Sequence, residues 1–182
     1  KVNLSEFDDK GIAYLNFISL FLAKQKDIDL IDSVINQNNL LLNNEKLLNY
    51  LINDNFASYE INKTCKYATQ LGAEISNFEL QKFKVFCLVQ AKENRKALAQ
   101  LELMKEAGFK DSFFEQKINY LQGMLLSKKE IENTDSLLNI HLSILSDPEF
   151  NPSYSIFKNN LNKKKYFFKS PLIEKVVDKN NT

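Results

Sequence analysis

The chain has 182 residues, 44% apolar and 26% charged, with a net charge of +1. That length suits one domain or one elongated array with a continuous core. The near-neutral balance excludes a global field drawing the protein to nucleic acid or an anionic membrane, and four glycines and three prolines are too few for a turn-rich β fold, so an all-α protein is expected.

In chain order, residues 1–10 are polar and read as a flexible start. A first helix is predicted over 11–24, with Ile12, Leu15, Ile18, Phe21 and Leu22 facing inward. Its apolar run is too short, and too interrupted by Asn16 and Ser19, to span a bilayer. Asp27 is a candidate N-cap for a second helix ending near Gln37, and Asn38-Asn39 reads as a break. A third helix starts between Leu40 and Glu45 and carries Leu47, Leu48, Leu51 and Ile52. The fourth is expected from Ala57 to Leu71, closed by Gly72.

Phe78 to Gly108 reads as two amphipathic helices joined by a polar turn. Leu80, Phe83, Phe86 and Cys87 share one face of the first; Ala97, Leu98, Leu101, Met104 and Ala107 share one face of the second. Ser76 with Glu79 matches a capping box at the start, and Gly108 fits the left-handed position after the end. A seventh helix is predicted over 111–126, buried through Phe113, Phe114, Ile118 and Leu121. An eighth, capped by Thr134 or Asp135, runs to about Leu145 and is stopped by Asp147-Pro148. The helical domain thus spans 11–147. Residues 148–182 form a capping or docking tail, partly disordered, with short helices at 154–161 and 172–177.

The pairs Ala23-Lys24 and Ala91-Lys92 each precede a polar turn and an amphipathic helix, two turns of a 34-residue period apart, and the intermediate register falls on Ala57. That period resembles the tetratricopeptide array, in degenerate form because its usual Trp is absent. The resemblance covers roughly 11–126 and implies antiparallel hairpins stacked as a short right-handed solenoid. The alternative is an irregular all-α bundle. Cys65, Phe86-Cys87, Lys96-Ala97-Leu98-Ala99, Asp111 with Phe113-Phe114, and Asp135-Ser136-Leu137-Leu138-Asn139 carry a looser likeness. In that order they resemble an uncharacterised family of bacterial cell-envelope helical-repeat proteins, which implies an envelope or periplasmic location and no catalytic residues. A cytoplasmic location is the alternative. The chain begins at Lys1 rather than Met, as expected of a processed protein or an excerpt of a longer one.

If the helices over 57–71 and 78–92 form a hairpin, Cys65 and Cys87 lie less than one turn out of level on apolar faces, a candidate disulfide. Two buried free thiols in a cytosolic protein are the other reading. No catalytic, cofactor-binding or metal set is expected. His141 is the single histidine and sits among Ile140, Leu142 and Ile144, so a packed helix position is favoured over acid–base chemistry. Two cysteines with one distant histidine do not make a zinc signature. Lys163, Lys164, Lys165, Tyr166, Phe167 and Phe168 form a candidate docking tail, and Lys82 and Gln90 a candidate partner groove. The expected function is a non-enzymatic protein–protein interaction or scaffold module binding a partner peptide or helix, without nucleic acid or a membrane span. The alternatives are a structural subunit of a larger assembly and the helical arm of a longer enzyme such as a lytic transglycosylase.

Overall fold

The computed structural model describes residues 14, 17–19, 21–22, 24–25, 27–37, 44–72, 75–124, 132–147 and 149–173. Among them all regular structure is helical and no strand occurs. The helices are α1 (Ile28–Gln37), α2 (Glu45–Ala57), α3 (Ile61–Ala68), α4 (Phe78–Gln90), α5 (Asn94–Glu106), α6 (Ser112–Leu121), α7 (Leu137–Ser146) and α8 (Leu161–Lys169), with a 3₁₀ turn at Tyr154–Ile156. Phe17, Ile18 and Ser19 are helical too, as are Phe21 and Leu22. There Ser19 and Leu22 are buried while Phe21, expected inward, is exposed. The flexible start, Ile12, Leu15, the Asn38-Asn39 break, Pro148 and the chain beyond Ile173 lie outside the described residues.

The helix starts follow local hydrogen bonding. Asp27 caps α1, its carboxylate accepting the Leu30 N–H at 3.0 Å, and Asn44 caps α2 through the Leu47 N–H at 3.1 Å. Elsewhere the capping residue differs from the expected one by a place or two. Asn77, not Ser76, accepts the Glu79 and Leu80 N–H groups of α4. Ser136, not Thr134 or Asp135, accepts the Asn139 N–H of α7 at 3.1 Å. All these residue types carry a short side-chain oxygen, so composition alone cannot choose among neighbours.

The helix ends repeat one motif. At Tyr59, Lys92, Gly108 and Gly123 the backbone enters the left-handed region, with φ of 61, 61, 95 and 73°. The next N–H reaches back five residues to a carbonyl: Glu60 to Asn55, Glu93 to Leu88, Phe109 to Met104 and Met124 to Asn119, each at 2.8–2.9 Å. This explains why α2 runs on to Ala57 and α3 begins only at Ile61. It also ends α6 at Leu121, short of the expected Leu126. By contrast α3 stops at Ala68 with Thr69 in a right-handed conformation (φ −71°), so Gly72 does not close it.

The described residues fall into two compact units. One holds the chain up to Phe56 together with Glu60–Lys110; the other holds Ala57–Tyr59 and the chain from Asp111. In the first, α4 packs between α3 and α5, and Phe56 sets its ring edge-on to Phe83 and Phe86, with centroids 5.0 and 6.0 Å away. Helix α4 was expected to bury one face. Val85, Leu88 and Val89 are buried as well as Leu80, Phe83, Phe86 and Cys87, because apolar residues on more than one face must be covered from more than one direction. In the second unit α7 plays that part between α6 and α8. The segment expected as a tail is part of this core, with Phe157 and Tyr166 fully buried.

The left-handed turns make opposite predictions at Lys92 and Gly108. A side chain at φ near +60° costs roughly 1 kcal/mol, which glycine avoids. Lys92→Gly should therefore raise stability by about that amount in urea denaturation. Gly108→Ala should lower it by about 1 kcal/mol or more, although a Cβ there would meet nothing within 4 Å.

Candidate functional site

In the first unit a surface groove of about 590 Å³ runs between α3, α4 and the start of α5. A disulfide joining half-buried Cys65 on α3 to buried Cys87 on α4, with Cα atoms 5.2 Å apart, forms part of its wall. Lys66, Lys84, Lys96, Glu93 and Gln100 line it with Thr69. Helical spacing brings them there: Lys84 precedes Cys87 by three residues and Thr69 follows Cys65 by four, so each shares a face with its cysteine.

Most of these polar groups are oriented by protein partners. Lys66 Nζ donates to Asn36 Oδ1 at 2.8 Å and to the Tyr67 hydroxyl at 3.2 Å. That hydroxyl donates to the Asp32 carboxylate, and burial followed by Asp32 pushes the Tyr67 pKa up. The phenol therefore stays protonated as donor. Lys84 Nζ donates to the Leu71 carbonyl at 2.6 Å. Gln100 Nε2 donates to Gln81 Oε1 at 3.1 Å, and Gln81 Nε2 to the Ile75 carbonyl at 2.8 Å. Lys96 pairs with Glu93.

The second unit holds a buried polar pair. His141 Nδ1 lies 2.5 Å from the Tyr166 hydroxyl, and the Tyr59 ring stands 6.1 Å from His141 and 6.0 Å from Tyr166. Burial pushes His141 down to about 4 and pushes Tyr166 up, with a smaller opposing contribution from the Ser170 hydrogen bond. Both groups are thus neutral near pH 7, and one hydrogen bond joins the phenol oxygen to Nδ1. The arrangement fixes α8 to α7.

The other candidate residues are dispersed. Lys82 is only 3% exposed and pairs with Glu79 at 2.7 Å, whereas Gln90 is exposed at the last residue of α4. The two do not form a common open surface. Spacing alone does not show this, because Lys82 lies on a helix with nine buried residues. Of the tail residues, Tyr166 is core, Lys163 Nζ donates to the Thr134 carbonyl at 2.7 Å, and Phe168 is exposed. Among the described residues no group of three or more His, Cys, Asp or Glu side chains is placed to hold a metal ion, and no helix is long and apolar enough to cross a membrane. Comparison with protein-family models, curated proteins and solved structures finds no match.

Two measurements probe these features. Replacing Cys65 and Cys87 by serine should lower stability by roughly 3 kcal/mol in the chain-entropy estimate for a loop of this length, read by urea denaturation under non-reducing conditions. For His141 the folded pKa lies below the unfolded 6.5, so the unfolded state binds the extra proton. The associated stability is complete above pH 6.5 and is lost as pH falls toward 4, by about 3 kcal/mol. His141→Gln should remove that part of the slope, seen as a flatter dependence of unfolding free energy between those two values.

Proposed function

We propose that the chain is a non-enzymatic protein–protein interaction module, a scaffold of tetratricopeptide-like helical hairpins that binds an extended segment of a partner. The observation that carries this reading is the disulfide-walled groove over α3 and α4. It is open, and three lysines against one glutamate line it, which favours an acidic segment. A groove braced by a covalent link between its two walls needs little ordering when a ligand arrives. Two further observations support the repeat reading. Helices α2 and α4 end in the same left-handed motif at Tyr59 and Lys92, one residue short of the 34-residue period. The pairs α3–α4 and α4–α5 are also sequential neighbours in contact, as stacked hairpins require.

The disulfide also supports placing the protein in an oxidising compartment, the periplasm or cell envelope, where such bonds persist. Helices α3 and α4 with the start of α5 form the groove, and the reading invokes no catalytic group in it.

A labelled oligoglutamate peptide, with oligolysine as control, tests the groove by fluorescence anisotropy. The acidic probe should bind and the basic one should not. Lys66→Glu with Lys96→Glu should weaken binding about tenfold or more, mainly through the loss of charge complementarity. Equal binding of both probes, or no effect of the double substitution, would remove the groove as the binding site.

A further inference from the structure

Helix α8 carries apolar side chains where a solvated surface would be polar. Leu161 is 82% exposed and Phe168 58%. Seven residues apart, they stand one above the other on a single helical face, two turns along the axis. Lys164 and Lys165 fall between them at the third and fourth positions. The opposite side of the helix is engaged: Tyr166 bonds His141 and Lys163 bonds the Thr134 carbonyl. The outward direction of Leu161 and Phe168 is therefore set by the core.

Phe168 is also backed by other rings. Its ring lies 5.3 Å from Phe167 and 6.1 Å from Tyr154, and Phe167 lies 5.0 Å from the fully buried Phe157. An aromatic cluster thus runs from core to surface and ends at an exposed ring. Along this segment the charge has one sign. Lys158, Lys163, Lys164, Lys165 and Lys169 are the only charged residues from Phe150 to Ile173.

Exposed apolar groups interleaved with lysines, and with no carboxylate in the segment, match one surface chemistry best. Anionic headgroups pair with the ammonium groups while the apolar tips enter the acyl boundary, the lysine stems lying along it. Nucleic acid would satisfy the charge but stacks only on flat rings, and the most exposed side chain, Leu161, has none. We propose that the outward face of α8 docks the protein on an anionic lipid surface, with Leu161 and Phe168 inserted at the acyl boundary and Lys164 and Lys165 at headgroup phosphates.

Co-sedimentation of the full chain with vesicles tests this, using phosphatidylcholine alone and phosphatidylcholine with phosphatidylglycerol. The protein should pellet with the anionic vesicles only, and raised salt should release it. Lys164→Glu with Lys165→Glu, and separately Leu161→Ser with Phe168→Ser, should each weaken binding about tenfold while circular dichroism stays unchanged. Phe168→Trp gives a readout independent of variant stability: its emission should shift to the blue on adding anionic vesicles. No pelleting with anionic vesicles, or no blue shift, overturns the proposal. So does binding that ignores the Leu161 and Phe168 changes and is competed equally by single-stranded DNA, which would make the patch a general polyanion contact.

Discussion

Helix α4 leaves little to water beyond Glu79, Gln90 and the groove side at Lys84, and the first unit is arranged around that constraint. Nine of its residues are buried, so it must be covered from several directions, and α2, α3 and α5 supply the cover. Its polar groups then carry a desolvation cost unless each finds a partner. Gln81 bonds both the Ile75 carbonyl and Gln100, and Lys82 reaches the exposed Glu79 one turn earlier. These bonds explain why a helix with a glutamine and a lysine inside can be enclosed at all. The same requirement governs α7, where Asn139, His141, Ser143 and Ser146 are buried among leucines and isoleucines. Ser146 accepts from Lys117 at 2.7 Å and His141 hydrogen-bonds Tyr166, so these two side chains also tie α7 to α6 and to α8.

The all-α class and most helix cores were legible from three-and-four spacing, and so was Gly108, whose missing Cβ marks a left-handed helix end. Tyr59 and Lys92 use the same backbone conformation without that signature. Nothing in a tyrosine or a lysine announces positive φ, since the hydrogen bond back to the helix and the surrounding packing impose it. The boundary between α2 and α3 was therefore misplaced, and Gly72 was credited with an end that Thr69 makes. Amphipathicity misled in a related way. Four residues on one face of α4 satisfied the pattern, and the additional Val85, Leu88 and Val89 were the sign that more than one face is buried.

The groove was only half visible in the sequence. Two cysteines nearly level on neighbouring helices could be paired by counting, because a hairpin relates positions by simple distance from its turn. Of the three lysines that line the groove, Lys84 could also have been found by stepping three residues back from Cys87, whereas Lys66 and Lys96 stand at other spacings. Lys82 and Gln90 were chosen instead as polar positions on α4, and burial separates them. In the C-terminal segment the basic-aromatic run NKKKYFFK was read as a docking tail. Its period puts Tyr166 on one side and Leu161 with Phe168 on the other, so a single short stretch serves both core and surface.

The two candidate surfaces share a physical design within their separate units. Each presents side chains from a helix pinned by a strong specific link, a covalent bond between α3 and α4 within the groove wall in one and a phenol–imidazole contact between α8 and α7 on the inner side in the other. A surface helix held only by apolar contact can rotate or slide by small amounts at little cost, since hydrophobic attraction is not directional. A disulfide or a buried hydrogen bond has a defined direction and removes that freedom. Binding surfaces gain most from such restriction, because the ordering cost of presenting a lysine or a phenylalanine is met on folding rather than on association. The neutrality of His141 belongs to this argument. The ring is enclosed with the Tyr166 hydroxyl, so a charge there would be costly, and the neutral pair holds α8 against α7 with Leu161 and Phe168 outward.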